Sequence, residues 1–112
     1  MSPITTHVLD TALGKPAAGI QITLEKLKGT DWQKIASGIT NADGRVADLM
    51  AEGSLDSGTY KMTFFTERYC KTAGFETFYP YIPIIFEVEN AGQHYHVPLL
   101  LSPFGYSTYR GS

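Results

Sequence analysis

Apolar and polar residues alternate with a period of two along most of the chain, and short turn signals separate the alternating segments. This pattern is typical of strands that bury one face in a sandwich or a barrel. It predicts about eight strands and therefore an all-β fold. The predicted strands are 4–9, 21–27, 32–39, 45–49, 58–65, 82–88, 94–101 and 106–110.

The segment 66–74 breaks this alternation and is predicted to form one short helix. Thr66 can act as its N-cap, Glu67 favours the first turn, and Gly74 supplies a left-handed stop. One isolated helix does not suggest βαβ units, so we expect antiparallel sheets.

Turn signals divide the strands from one another. A loop is predicted at 14–16 and a turn at 41–44, and hairpin turns are predicted at 90–92 and 102–105. The chain shows no repeat, low-complexity tract or linker, and its 112 residues fall in the usual range of one domain. We therefore expect a single domain over 1–112.

Charge and composition exclude several classes of partner. The formal net charge of -2, without runs of like charge, leaves no basic surface for nucleic acid or anionic lipid. No apolar stretch reaches the ~20 residues that span a bilayer, and the first residues lack the pattern of a secretion signal. Cys70 is the only cysteine, so no internal disulfide or CxxC pair can form. We expect a cytoplasmic protein with no membrane or nucleic-acid partner.

The candidate functional residues are two histidines, one arginine and the last four residues. His7 lies in the first predicted strand, His96 lies in the seventh, and Arg45 follows a turn. If the first, seventh and eighth strands are neighbours in one sheet, alternation lets His7, His96 and Tyr109 converge. Chain ends fray unless something ties them down, so we expect 109–112 to be held close to this sheet for a functional reason.

Four segments carry a resemblance to a known family: 6–10, 43–45, 96–103 and 105–112. Together they resemble the transthyretin family, and within it the enzymatic branch. The terminal Tyr-Arg-Gly-Ser and the two placed histidines are the most specific parts, because the hormone-carrier branch lacks them.

This resemblance implies a prealbumin-like sandwich of two four-stranded antiparallel sheets, assembled as a homotetramer with its sites in a channel between facing dimers. The implied substrate is the small molecule 5-hydroxyisourate. Its ring is opened by hydrolysis to 2-oxo-4-hydroxy-4-carboxy-5-ureidoimidazoline, in the degradation of urate to allantoin. No metal or other cofactor is implied. Other family members occur in peroxisomes or the periplasm.

The resemblance also implies roles for individual residues. Catalysis falls to His7, Arg45, His96 and Ser112, and substrate binding to His7, Arg45, Tyr109 and Arg110. Opening a cyclic acyl amide needs an activated water, a stabilised oxyanion and a proton for the leaving nitrogen. Histidine suits the first and third tasks, and a guanidinium suits the second and can hold an acidic substrate.

His7 is provisionally the base and His96 the acid or orienting partner, and the sequence leaves the exchanged assignment open. Ser112 is expected to orient a histidine through its carboxylate or hydroxyl, while Tyr109 and Arg110 frame the substrate ring.

Other interpretations of these and neighbouring residues have less support. Zinc needs about three or four ligands, and no carboxylate or thiol lies at motif spacing from the histidines. His94 is expected to lie in solvent near the hairpin, and Cys70 to be inert. Asp10 and Glu87 lack a recognisable partner, which argues against paired carboxylates. The alternative functions are a carrier of small aromatic ligands and a generic interaction module.

Overall fold

The computed structural model describes residues 2–111, and within them eight strands form two four-stranded sheets accompanied by one short helix. The elements are β1 (Ile4–Asp10), β2 (Lys15–Pro16), β3 (Gln21–Lys28), β4 (Asp31–Ile39), β5 (Gly58–Phe65), α1 (Glu67–Thr72), β6 (Ile82–Val88), β7 (Tyr95–Ser102) and β8 (Gly105–Thr108). The first sheet has the strand order β2-β1-β7-β8, and the second has the order β4-β3-β5-β6. The predicted all-β architecture with two four-stranded sheets and one short helix is confirmed.

The two sheets bury their alternating apolar residues against each other. Every second residue of β1 is buried, beginning with Ile4, and β7 buries Tyr95, Val97 and Leu99. The second sheet contributes the fully buried side chains Ile22, Leu24, Met62, Phe64 and Ile82. Burying one large apolar side chain is worth ~1.5–3 kcal/mol, so these residues fix which face of each strand points outward.

One strand pair contradicts the prediction of antiparallel sheets. β1 and β7 pair in parallel, with Ile4 opposite Tyr95 and Asp10 opposite Leu101. A tight hairpin forces antiparallel pairing, but the second sheet lies between these two strands in the sequence, and so long a connection permits a parallel return. Alternation within a strand is the same in both directions, so the pattern could not reveal it.

Two predicted segments are wrong. The segment 45–49 is not a strand: only Arg45 forms an isolated bridge, to β1, and the 47–48 turn that follows is exposed at both positions. Buried Leu49 therefore reaches the core from a turn, which breaks the alternation a strand would need. Conversely, part of the predicted 14–16 loop forms the two-residue strand β2, which pairs with the end of β1.

The turns also differ in what they connect. Residues 90–92 do not close a hairpin, because β6 belongs to the second sheet and β7 to the first. The hairpin predicted at 102–105 is confirmed, since β7 pairs with β8 and the Ser102 hydroxyl donates to the Gly105 carbonyl at 2.9 Å. β8 ends at Thr108, two residues earlier than predicted.

The helix predicted at 66–74 is present as α1. Thr66 occupies the N-cap position, but its hydroxyl donates to the Tyr79 carbonyl at 3.1 Å and makes no cap hydrogen bond. Gly74 has the expected left-handed conformation, with φ +85°. Among the described residues, no helix has the length and apolar character needed to cross a bilayer.

A buried carboxylate joins α1 to the end of β1. Asp10 accepts a hydrogen bond from the Tyr69 hydroxyl at 2.6 Å and from the backbone N–H groups of Ala12 and Leu13 at 2.9 Å each. Glu87 likewise accepts a hydrogen bond, from the Thr59 hydroxyl at 2.6 Å. These partners of Asp10 and Glu87 are hydroxyl and N–H donors and not the second carboxylate of a catalytic pair. Burial raises the pKa of the Cys70 thiol, and the Asp10 charge raises it further, which favours an unreactive thiol.

Candidate active site

The outward face of the first sheet carries both candidate histidines. Because β1 and β7 run in parallel, Thr5 lies opposite His96 and His7 lies opposite Pro98. Each histidine is partly exposed. They are separated by one two-residue step, which is about 7 Å along the strands. The structure thus brings His7 and His96 together on one surface.

The Thr5 hydroxyl lies between two imidazole rings. Its Oγ1 is 2.8 Å from Nδ1 of His96 and 2.9 Å from Nε2 of His94. The two rings are almost parallel, with 18° between their planes and 6.4 Å between their centroids. His94 is exposed, as expected, but its hydrogen bond with Thr5 holds its ring next to His96. We call the outward surface of the first sheet that carries His7, His94 and His96 the histidine face.

The turn that begins at Asn41 delivers Arg45 to β1. The Asn41 side-chain oxygen accepts the Arg45 N–H at 3.1 Å, and the Gly44 carbonyl accepts the Val8 N–H at 2.8 Å. Gly44 is buried with φ +75°, and a Cβ there would lie 2.5 Å from the Val8 carbonyl oxygen and 3.2 Å from Cδ2 of His7. Glycine is therefore needed for the turn to approach β1 this closely.

A second glycine brings the end of the described chain to His96. The Gly111 N–H donates to the His96 carbonyl at 2.9 Å, which forms an isolated β-bridge. A Cβ on Gly111 would lie 2.5 Å from Cδ2 of the His96 ring and 3.2 Å from Cγ. The ring of His96 therefore occupies the space that a side chain at position 111 would need.

Burial and neighbouring positive charges favour the neutral form of His96. Burial lowers its pKa from the ordinary value of 6.5, and Arg45, His94 and His7 each lower the pKa further. A hydrogen bond with the Thr5 backbone acts in the opposite direction. The imidazole of His96 is therefore mostly neutral at pH 7 and available as a base. Within residues 2–111, the Arg45 guanidinium has no ion pair and stays available for an anionic group.

His96 lies at the boundary of two surface cavities. The larger, of about 430 Å³, is lined by Thr5, Thr6, Asn41, Arg45, Val46, Ala47, His94 and His96. The smaller, of about 310 Å³, lies between the two sheets and includes His96, Tyr109 and Arg110 in its lining. The structure therefore groups Arg45 with His96 on one side and the chain end with His96 on the other.

The chain-end residues differ in how firmly they are held. The Arg110 guanidinium stacks on the Tyr95 ring, 4.3 Å from its centroid, and donates to the Gln93 side-chain oxygen at 3.1 Å. The Tyr109 side chain is largely exposed, at 57%. Ser112, the remaining predicted catalytic residue, lies outside the residues that the structure describes.

Metal binding was a less favoured interpretation of the histidine face. Across residues 2–111, no three or more His, Cys, Asp and Glu side chains are grouped so that they could hold a metal ion. The donors on this face are imidazoles and a guanidinium, and a guanidinium does not act as a metal ligand.

The match to a family model covers almost the whole described chain. The model described as HIUase/Transthyretin family matches residues 4–111. The chain belongs to this family. Of the candidate site residues, His7, Arg45, His96, Tyr109 and Arg110 lie within the matched range.

Named relatives of this transthyretin-family chain are similar over nearly its full length. It is 49% identical to a 5-hydroxyisourate hydrolase of Mus musculus, covering 99% of this chain and 96% of the relative. It is 43% identical to a 5-hydroxyisourate hydrolase of Salmonella typhimurium, covering 97% of this chain and 80% of the relative.

Solved structures similar to this chain include a 5-hydroxyisourate hydrolase and a transthyretin. The 5-hydroxyisourate hydrolase of Klebsiella pneumoniae superposes with a TM-score of 0.85 at 37% identity and covers 100% of both chains. Sea bream transthyretin in complex with thyroxine gives a TM-score of 0.92 at 31% identity, covering 97% of this chain and 94% of that one.

Sequence reasoning missed the residues that support the histidines. Alternation along the first strand places Thr5 on the same face as His7, but its position opposite His96 depends on a register that joins distant segments. The sequence singles out Gly111 only as part of the chain end, and its packing against an imidazole has no local sequence signal. The Asp43-Gly44 turn does have a local sequence signal, because this dipeptide favours a left-handed conformation at its glycine.

Proposed function

We propose that this chain is a 5-hydroxyisourate hydrolase. The observation that carries the proposal is one cavity that holds a neutral imidazole, His96, and the guanidinium of Arg45, with His7 on the same face. These groups supply a base, an oxyanion-stabilising cation and a second proton carrier. The names of the mouse, Salmonella and Klebsiella relatives support the same activity.

In the proposed reaction, His96 is the base that takes a proton from water as the water oxygen attacks the ring carbonyl. Its lowered pKa keeps the His96 imidazole neutral at pH 7 and able to accept this proton. Arg45 stabilises the negative charge that develops on the carbonyl oxygen. The ring C–N bond then breaks, and the leaving nitrogen receives a proton from an imidazolium, either His96 itself or His7. Water is thus added across one bond, and no redox partner is consumed.

The chain end completes the proposed site. Tyr109 is proposed to contact the substrate ring through its exposed aromatic face, and Arg110 to add positive charge at the second cavity. Ser112 is proposed to orient a histidine. This role is supported by the residue before it in the chain, Gly111, whose N–H donates to the His96 carbonyl.

We further propose that four copies of this single-domain chain assemble, with the histidine face covered by another copy. A patch of exposed aromatic residues supports an assembled state: Phe78 and Phe104 are each 64% exposed, and their ring centroids are 6.5 Å apart. Large exposed apolar patches commonly mark protein interfaces. Light scattering should give about four times the chain mass of 12.3 kDa, and an active monomer would contradict a site shared between copies.

The test is the ultraviolet decay of freshly prepared 5-hydroxyisourate, with and without the purified protein. His7→Ala, His96→Ala and Arg45→Ala should each lower kcat/KM at least about 100-fold, because each removes a proton carrier or an oxyanion contact. Lys34→Ala is the matched control, since this exposed cation lies on β4 of the second sheet.

The decisive outcome is the behaviour of the wild-type protein. Decay no faster than the spontaneous reaction would refute the hydrolase assignment. Tight thyroxine binding in the same preparation would then favour a carrier, the activity class suggested by the sea bream complex.

A further inference from the structure

The Thr5 hydroxyl has one proton but two imidazole nitrogens within hydrogen-bond distance. It can donate to Nδ1 of His96 or to Nε2 of His94, and it cannot donate to both. With both rings neutral, the nitrogen that does not receive this proton must donate its own N–H to the Thr5 oxygen. The proton positions of His94 and His96 are therefore linked through one side chain.

The surroundings of His96 select between these two arrangements. Within residues 2–111, Nδ1 is the ring nitrogen of His96 that has a hydrogen-bond partner, the Thr5 hydroxyl at 2.8 Å. The His94 ring is exposed, so water can satisfy its remaining nitrogen, whereas the His96 ring is partly buried. A proton on Nδ1 of His96 is donated to the Thr5 oxygen. A proton on Nε2 would be a partly buried donor without an acceptor among the described residues, which is the costlier arrangement.

We propose that Thr5 is a positioning residue that holds the proton of neutral His96 on Nδ1, leaves Nε2 unprotonated, and donates its own proton to Nε2 of His94. The inference deepens the proposed function, because an unprotonated Nε2 is the atom that a general base needs. The proton arrangement itself is a property of the free protein and does not depend on which substrate is bound.

His94 acquires a role through the same link. Protonation of His94 reverses its hydrogen bond with Thr5 and places a positive charge one ring spacing, 6.4 Å, from His96. Arg45, His94 and His7 each lower the pKa of His96, and the second cavity beside it is lined by Tyr109, Arg110 and the carboxylate-bearing Glu87. Arg45 and the protonated forms of His7 and His94 are cationic, so each proton gained on these two histidines disfavours protonation of His96.

The first test reads the tautomers directly, by long-range ¹H–¹⁵N NMR of the labelled protein at about pH 8, well above the ordinary pKa of histidine. Wild-type His96 should carry its proton on Nδ1. Thr5→Val, which removes the hydroxyl and keeps the shape, should shift His96 towards the Nε2–H tautomer, and Thr5→Ser should restore Nδ1–H. Thr11→Val is the control, since its hydroxyl also binds β7, at Leu101, away from the histidines.

A wild-type His96 protonated on Nε2 would overturn the inference without any variant. An unchanged tautomer in folded Thr5→Val would overturn it equally. Neither result depends on hydrolysis, so the proposed function could fail while the proton arrangement stands.

The second test asks what the arrangement does for activity. Thr5→Val should lower kcat/KM about 10-fold, the lower end of losses seen when the partner of a functional imidazole is removed, and Thr5→Ser should recover it. His94→Ala should move the acid limb of the pH profile to higher pH, because His94 no longer lowers the pKa of His96. An acid limb that stays in place would contradict the electrostatic coupling of His94 to His96.

Discussion

Replacing Gly111 with alanine is expected to lower kcat/KM about 100-fold while the fold stays intact. The new Cβ would lie 2.5 Å from Cδ2 of the His96 ring. Carbon atoms pack without strain at about 3.5 Å, so either the ring or residue 111 must move by roughly 1 Å. A displacement of this size at a catalytic group is enough for a loss of about two orders of magnitude.

Each way of relieving the contact changes the site. If the ring rotates away, the 2.8 Å hydrogen bond between His96 and Thr5 is lengthened or lost. If residue 111 retreats, its 2.9 Å hydrogen bond to the His96 carbonyl is lost, and Tyr109 and Arg110 move with it. Neither movement opens the core between the sheets, because Gly111 does not belong to it.

The assay compares steady-state hydrolysis of 5-hydroxyisourate with thermal unfolding of the same preparations. Gly105→Ala is the matched control: it lies on the neighbouring β8, and its Cβ would meet the Ser102 hydroxyl at an ordinary 3.6 Å. Wild-type kcat/KM in Gly111→Ala, with unchanged melting, would refute the claim that this glycine sets the position of the His96 ring.

Two further predictions concern the pH dependence set by His96 and the hydrogen bond between Tyr69 and Asp10 that joins α1 to β1. Folding lowers the pKa of His96, so the folded protein favours the neutral ring. The contribution of His96 to the free energy of unfolding is therefore complete above its ordinary pKa of 6.5. This contribution is lost as the pH falls through the lowered pKa. Activity that needs neutral His96 should likewise keep its acid limb below pH 6.5, and a kcat/KM profile with a higher midpoint would count against His96 as the base. Tyr69→Phe removes a hydroxyl donor from buried Asp10 and should lower the free energy of unfolding by about 1–3 kcal/mol in urea denaturation. Tyr81→Phe, on an exposed ring, should change it little, and equal losses in the two variants would refute the anchoring role.

The faces of the strands could be predicted from the sequence because burial enforces them. A strand that exposes Ile4 or Val8 would lose the burial of large apolar groups, so His7 must point the other way. The same reasoning places His96 on the face of β7 opposite to the buried Val97 and Leu99. These predictions use only neighbours in the sequence and one physical rule, and they held for every strand that contributes to the first sheet's core.

The partners of those faces could not be predicted, because they depend on pairing between distant segments. Thr5 and His96 are 91 residues apart, and their contact follows from a parallel register that no local pattern specifies. The prediction of a strand at 45–49 was wrong for a related reason. Its apolar residues were assigned to a strand, but the chain turns there to bury Leu49, and only Arg45 itself stays paired with β1.

The site combines a rigid part with a part that has little core of its own. His7 and His96 stand on adjacent central strands, whose opposite faces are buried between the sheets. The groups that tune them come from the turn at Gly44 and from the chain end at Gly111, and each glycine packs directly on one histidine ring. Segments with few buried apolar contacts open locally at lower cost than the core. The absence of two side chains therefore lets these two segments pack against the imidazoles. A side chain at 44 would also strain the backbone, since its Cβ would meet the Val8 carbonyl oxygen, whereas a side chain at 111 would meet the His96 ring. Substitution at Gly111 is therefore expected to lower activity more than stability.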